Sequence, residues 1–301
     1  MYLKDNPILS ICIPTHGVVE FVIPAIESIY QQGCDLSLFE VVISDNGQDS
    51  VLGEALEKYD YPNLIYKRVA AGGFMNEVNS LRYGNGLFLK IMNHKSRLKD
   101  GVLQKMIDFV LANKDDKPML FFSNGHVKGE SIIPCDSLEM FLRKVSFWSS
   151  WEEGVGIWAE EKELLDGIPY NEMVPTSSVL FYLRDSSKYV IFNEVMSDQE
   201  GTKRKRMYDF FQVFAIGYVD GYNELRKNGK ISIDLFNFLR YDLYRRDLIS
   251  HYYQIMVAKT DDSIPLSGIK QTMSVYYSSL HYYYMLLYAY IAMPVKRLLW
   301  R

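Results

Sequence analysis

The sequence predicts an α/β fold built from βαβ units, followed by a helical C-terminal extension. Three patterns lead to it. Short apolar runs alternate with amphipathic stretches from Leu9 to Phe122, the first two runs end in polar loops, and beyond Ile231 the apolar spacing turns helical. Leu9-Ser-Ile-Cys-Ile-Pro14 reads as a buried strand closed by proline and opening into Thr15-His16-Gly17. In Phe21 to Gln32, the residues Val22, Ala25, Ile26, Ile29 and Tyr30 share one helical face, and Gly33 supplies the stop. Phe39-Glu-Val-Val-Ile43 is the second strand and runs into Ser44-Asp45-Asn46-Gly47. An acidic turn therefore lies just past a strand end, where open α/β sheets bind ligands.

Leu64 to Arg68 gives a third strand, Ala71-Gly72-Gly73 leads into a helical stretch containing Asn76 and Asn79, and Gly86 to Met92 gives a fourth strand. Asp100-Gly101 opens a helix that runs through Leu111, and Met119 to Phe122 reads as a further buried strand. Past about residue 145 the pattern loosens into aromatic and acidic segments, which end at the basic run Lys203-Arg-Lys-Arg206. From Ile231 to Ala258 the spacing of Leu235, Phe238, Leu239, Leu243, Ile249, Tyr253 and Met256 favours a long amphipathic helix. Asp242 and Arg246 fall on its apolar face at i, i+4 spacing, suited to pairing with each other. A second helix is expected over Met273 to Met293, which places the α/β domain at residues 1–228 and the tyrosine-rich extension at 229–301.

Size and composition narrow the function. A chain of 301 residues can bury a substantial core, and a net charge of -4 argues against a nucleic-acid binder held by bulk electrostatics. Cys12, Cys34 and Cys135 are an odd set without CxxC spacing, which fits a reducing compartment and excludes a cysteine zinc site. Met1 to Pro7 lacks the features of a secretion signal, so a cytoplasmic location is expected. The longest apolar stretch, Tyr282 to Val295, is shorter than the roughly 18 residues of a membrane span, is rich in tyrosine and contains Pro294. The GxSxG, GxxxxGK[ST] and HExxH patterns are absent from the sequence, which leaves serine-hydrolase, P-loop and zincin readings without support.

Ile11-Cys-Ile-Pro-Thr15, Ser28-Ile-Tyr-Gln31 and Val41-Val-Ile-Ser-Asp45-Asn-Gly47 resemble the opening of family-2 inverting glycosyltransferases, the builders of capsule, O-antigen and teichoic polymers. The resemblance covers roughly residues 8–110 and implies a GT-A fold, a Rossmann-like domain that binds a nucleotide sugar. It implies that Asp45 holds the nucleotide base, with Pro14 and Thr15 framing base and ribose. The plainer reading of Asp45 is an aspartate capping its own turn. Gly72, Gly73 and Asn76 match the glycine and asparagine that precede the family's central helix, near the sugar nucleotide; an ordinary loop into a helix would look the same.

Aligned on Gly86 and Gly101, Asn93-His94-Lys95-Ser96 stands where the family carries its DxD motif, usually the seat of a divalent metal. Both carboxylates are missing, and a lysine repels Mg²⁺ or Mn²⁺, so no metal site and no cofactor are expected. Lys95, with His94 or Arg97, is then expected to stabilise the leaving diphosphate electrostatically. The competing reading is a decayed motif in a non-catalytic nucleotide-sugar-binding or scaffold subunit of a polysaccharide assembly complex. Inverting transfer also needs a carboxylate base. The family's position for it corresponds to no clean Glu-Asp pair here; Glu172 is the first candidate and Asp198 the second, with Glu160 and Glu161 also near.

Trp148, Trp151 and Trp158 suit an acceptor wall or core packing equally well. Lys203 to Arg206 suits a clamp over the diphosphate, a solvated loop or a contact to anionic lipid. The tail combines Tyr276, Tyr277, Tyr282 to Tyr284, Tyr288, Tyr290 and Trp300 with Lys296, Arg297 and Arg301. That mix fits a lipid headgroup boundary or a homodimer interface. The expected partners are a nucleotide-diphosphate sugar donor and a glycan or lipid-linked glycan acceptor, with the membrane surface or a second subunit at the tail.

Overall fold

The computed structural model describes residues 6–70, 72–73, 75–167, 186–199, 204–206, 208–263 and 268–295. The chain divides into two compact units, one holding the described residues from 6 to 199 and the other those from 204 to 295. The division falls near residue 200 rather than at the expected 228, because the helical run 212–227 packs on the helices that follow it.

The strands of the first unit are β1 (Leu9–Thr15), β2 (Phe39–Asp45), β3 (Leu64–Arg68), β4 (Phe88–Ile91), β5 (Ser96–Leu98), β6 (Met119–Phe122), β7 (Ile132–Cys135), β8 (Gly156–Trp158), β9 (Tyr189–Phe192) and β10 (Ser197–Gln199). Its helices are α1 (Val19–Tyr30), α2 (Val51–Leu56), α3 (Met75–Tyr83), α4 (Val102–Ala112) and α5 (Leu138–Val145). The principal sheet has the order β3-β2-β1-β4-β8; its first four strands are parallel, and β8 runs antiparallel to β4. The expected α/β class is thus the observed one. Parallel strands need crossovers, and α1 and α3 supply them on opposite faces.

Alternate residues of each strand face opposite sides, so Leu9, Ile11 and Ile13 of β1 join Phe39, Val41 and Ile43 of β2 in one core with α1 and α4. Val22, Ala25, Ile26 and Ile29 of α1 and Leu103, Met106, Ile107 and Val110 of α4 close that core. Each large aliphatic among them contributes about 1.5–3 kcal/mol by leaving water. On the other face α3 packs on β1 and β2 with Val78 and Leu81 buried.

Met119 to Phe122, read from sequence as one more strand of the same rhythm, belongs instead to a second sheet of order β6-β9-β7. There β6 and β9 are parallel and β7 is antiparallel to β9. β10 pairs antiparallel with β5 and ties the loop after β4 to the chain beyond β9.

The second unit is mainly helical. The helix expected over 231–258 is present from Ile233 to Val257 as alternating α and π segments, and Ser232 caps it by accepting the Leu235 N–H at 3.1 Å. Asp242 and Arg246 pair at 3.3 Å, as their spacing predicted. The single helix expected over 273–293 is in fact two. Ile269–Met273 ends in a turn, and a new helix starts at Ser279, whose preceding residue Ser278 has extended backbone. Apolar periodicity runs through that turn unbroken, so the break is invisible to spacing alone. A parallel strand pair joins Arg204–Arg206 to Asp261–Ser263.

Candidate active site

Parallel strands that end together leave their carboxyl edge open between the crossover loops. Here Thr15 of β1 stands opposite Asp45 of β2, which stands opposite Arg68 of β3. Asp45 is fully buried; one carboxylate oxygen accepts the Gly47 N–H at 2.7 Å and the other accepts the Tyr66 hydroxyl at 2.7 Å. Both oxygens are thus engaged within the protein, the turn-capping arrangement that was the plainer reading. Burial first, and then this hydrogen bond to Asp45, raise the Tyr66 hydroxyl to about 12. A Cβ at Gly47 would lie 2.9 Å from both the Asp45 carboxylate and the His16 carbonyl, so only glycine lets these two loops approach.

Asn76, at the start of α3, is a brace between strand ends. Its amide donates to the Thr15 and Ser44 carbonyls, each at 2.9 Å, and its oxygen accepts the Ser44 hydroxyl at 2.7 Å. Gly73 precedes it with positive φ and is exposed, and Pro14 is half-buried one residue before the end of β1.

Beyond β4 the chain turns through Asn93, His94 and Lys95 into β5. His94 is buried, and its Nδ1 lies 2.8 Å from the Thr15 hydroxyl. The Gly17 N–H also donates to that hydroxyl oxygen, at 3.3 Å, and the tautomer of His94 sets which partner donates in the Thr15–His94 bond. Burial first, then His16, Lys95 and Arg97, push His94 down to about 3, so it is neutral at pH 7. Lys95 is half-buried, with its ammonium 4.8 Å from the centre of the Phe21 ring. Among the described residues it has no carboxylate within ion-pair distance.

The opposite wall comes from residues that sequence reasoning passed over. Because β8 is antiparallel, with Gly156 opposite Lys90, the residues just before it reach the carboxyl edge of β4. Glu153 is buried there, and one of its oxygens accepts the Asn93 N–H at 2.6 Å and the Ser96 hydroxyl. Glu152 is half-buried and accepts the Asn93 side-chain amide at 2.5 Å. Burial raises both carboxyls; Asn93 and then Lys95 oppose it at Glu152, and Lys90 opposes it most at Glu153. Buried Lys90 donates to the carbonyls of Ile91 at 2.9 Å and Glu153 at 2.7 Å, and burial lowers it to about 8 against the pull of Glu153. The signal for this group was one lysine inside the apolar run Leu87 to Met92, a cation that a buried strand tolerates only with partners.

Residues 10–124 match the profile of the family described as Glycosyl transferase family 2. They form a family-2 glycosyltransferase domain. The fold of the whole transferase agrees. S. aureus TarS 1-349, crystallised with UDP, superposes with a TM-score of 0.58 at 12% identity, over 83% of this chain and 75% of that one. The mannosyltransferase PcManGT from Pyrobaculum calidifontis, in complex with GDP-Man and Mn²⁺, gives a TM-score of 0.56 at 16% identity, over 98% of this chain and 88% of that one. No curated protein is significantly similar in sequence. The resemblance read from the opening motifs and the expected GT-A fold are therefore borne out, and the protein is an enzyme of the glycosyltransferase class.

The transferase distributes the remaining candidates unevenly. Glu160 and Glu161 follow the antiparallel β8 and so lie at the amino edge of the sheet, away from Lys95. There Glu160 pairs with Lys117, and Glu161 accepts the Trp158 N–H at 2.8 Å. Trp158 is core, edge-on to Phe88 at 5.0 Å and donating to the Pro118 carbonyl at 2.8 Å, so it is no part of an acceptor wall. Trp148 stacks on His126 at 4.0 Å, and Trp151 packs beside the same imidazole. Asp198 stands opposite Arg97 in the β10–β5 pair and makes an exposed 2.8 Å ion pair with Lys99. Glu172 and the side chains of Lys203 to Arg206 lie outside the described residues. Among the described residues, no three His, Cys, Asp or Glu side chains converge as metal ligands.

Proposed function

We propose that this glycosyltransferase moves a sugar, with inversion, from a nucleotide-diphosphate sugar to a hydroxyl of a lipid-linked or polymeric bacterial surface glycan of the capsule, O-antigen or teichoic type. It would act at the cytoplasmic face of the membrane. The donor class is supported by the neighbours of like fold, TarS bound to UDP-GlcNAc and PcManGT bound to GDP-Man. One observation carries the reading of the chemistry: the ammonium of Lys95 sits at the carboxyl edge of β4 with no carboxylate partner among the described residues, where the family resemblance locates the DxD motif.

The donor set around Lys95 does not suit a hard divalent cation. Asn93 is held by Glu152 and Glu153, Glu153 is committed to the loop it supports, His94 is committed to Thr15, and Lys95 itself is a cation. In this reading Lys95 supplies the positive charge instead. The acceptor hydroxyl gives its proton to a carboxylate, Glu172 or Asp198, and its oxygen attacks the anomeric carbon opposite the diphosphate. The bond from that carbon to the diphosphate oxygen breaks, and the departing group takes the electron pair and meets the ammonium. A fixed charge in a partly water-free site lowers such a barrier because it needs no reorganisation as charge develops.

The test is sugar transfer from a panel of nucleotide sugars, measured with and without excess chelator. Activity that survives the chelator and falls about 10²–10³-fold in Lys95→Ala, with donor-induced thermal stabilisation partly retained, is the expected result. Activity abolished by chelator and restored by Mg²⁺ or Mn²⁺ would refute it.

A further inference from the structure

The helix that begins at Ser279 presents an apolar face to solvent. It continues through Ala292 to residue 295, with Met285 and Ala289 fully buried on its inner side. On its outer side Leu280 is 77% exposed, Leu287 57% and Ile291 58%, and Tyr283, Tyr284, Tyr290 and Val295 flank them. At 100° per residue, Leu280, Tyr284, Leu287, Ile291 and Val295 form one stripe opposite the buried pair. Isolated exposed apolar residues are ordinary, but a stripe along four turns is a contact surface.

Charge indicates the partner. From Ser263 to Arg301 the sequence contains no Asp or Glu, whereas Lys270, Lys296, Arg297 and Arg301 are all cationic. Lys270 lies beside the stripe, donating to the Tyr283 hydroxyl at 2.9 Å with its ammonium 5.0 Å from that ring. No described helix is long and apolar enough to cross a membrane. Leucines and isoleucine along one face, tyrosines at its margins, and cations without anions are the chemistry of a helix lying in the plane of an anionic headgroup layer. Against a second copy of the same face, a two-fold contact would set cations against cations.

We propose that residues 279–295 dock this protein on the surface of an anionic bilayer, with Leu280, Leu287 and Ile291 entering the headgroup boundary. The surface belongs to the second unit alone, and vesicle binding is measured without turnover, so its outcome is separate from that of the transfer reading.

The experiment is co-sedimentation of the full chain with phosphatidylcholine vesicles with and without phosphatidylglycerol, across a salt series, beside light scattering of the lipid-free protein. Binding is expected to phosphatidylglycerol vesicles and to weaken with salt. The triple variant Leu280→Ser, Leu287→Ser, Ile291→Ser should lose it by roughly tenfold or more. Val51→Ser, at an apolar site on α2 that is also more than half exposed, should leave it unchanged. Since all three replaced side chains are exposed, the variant should keep the wild-type thermal transition. No binding to the anionic vesicles, or equal binding by the triple variant, overturns the proposal. So does a dimer in solution that the triple variant dissociates while vesicles bind neither protein.

Discussion

His94 offers a quantitative check on the carboxyl-edge geometry. Its imidazole is 8% exposed, is hydrogen-bonded to Thr15 and is held down to about 3 by burial and neighbouring cations. In the unfolded chain it titrates near 6.5. Between these values the unfolded state binds a proton that the folded state refuses, so stability falls as pH falls. The slope is about 1.4 kcal/mol per pH unit for one group, which from pH 6.5 to pH 5 amounts to about 2 kcal/mol. His94→Gln removes the titration while keeping a side-chain amide that can donate to or accept from the Thr15 hydroxyl. Urea unfolding followed at pH 7, 6 and 5 should show the wild type losing about 2 kcal/mol more than His94→Gln over this range. Parallel pH dependences for the two proteins would refute the claim that His94 is buried neutral against Thr15.

Two further substitutions test the supports of the site. Glu153→Ala deprives Asn93 and Ser96 of their acceptor and leaves Lys90 without its neighbouring anion, and should cost about 3–5 kcal/mol in chemical denaturation. Glu153→Gln, which keeps the accepting oxygen, should cost clearly less; equal losses would mean that the hydrogen bonds to Asn93 and Ser96 do not matter. Asn76→Ala frees the Thr15 and Ser44 carbonyls at the strand ends and should cost about 1–3 kcal/mol, with weaker donor binding by calorimetry. Unchanged stability would show that the brace is not needed.

What the sequence determined by itself was local. The apolar runs of β1, β2 and β4 and the single apolar face of α1 follow from side-chain pattern within one element, so their existence, type and order were legible. The same reasoning placed Asp45 at a strand end, because a strand's end is marked by its own residues, whereas the Asn93 to Ser96 turn was reached only through the family resemblance. The pairing of Asp242 with Arg246 was legible for the same reason.

Only the tertiary structure decided which way β8 runs. A three-residue strand carries no signature of direction, yet its direction sets Glu152 and Glu153 against the Asn93 turn and sends Glu160 and Glu161 to the far edge. It also decided that β6 joins a second sheet and that Trp158 is core, since an apolar tetrapeptide or an indole suits many neighbours equally. Pairing between distant strands is fixed by how all the faces are covered at once, and no window of sequence contains that sum.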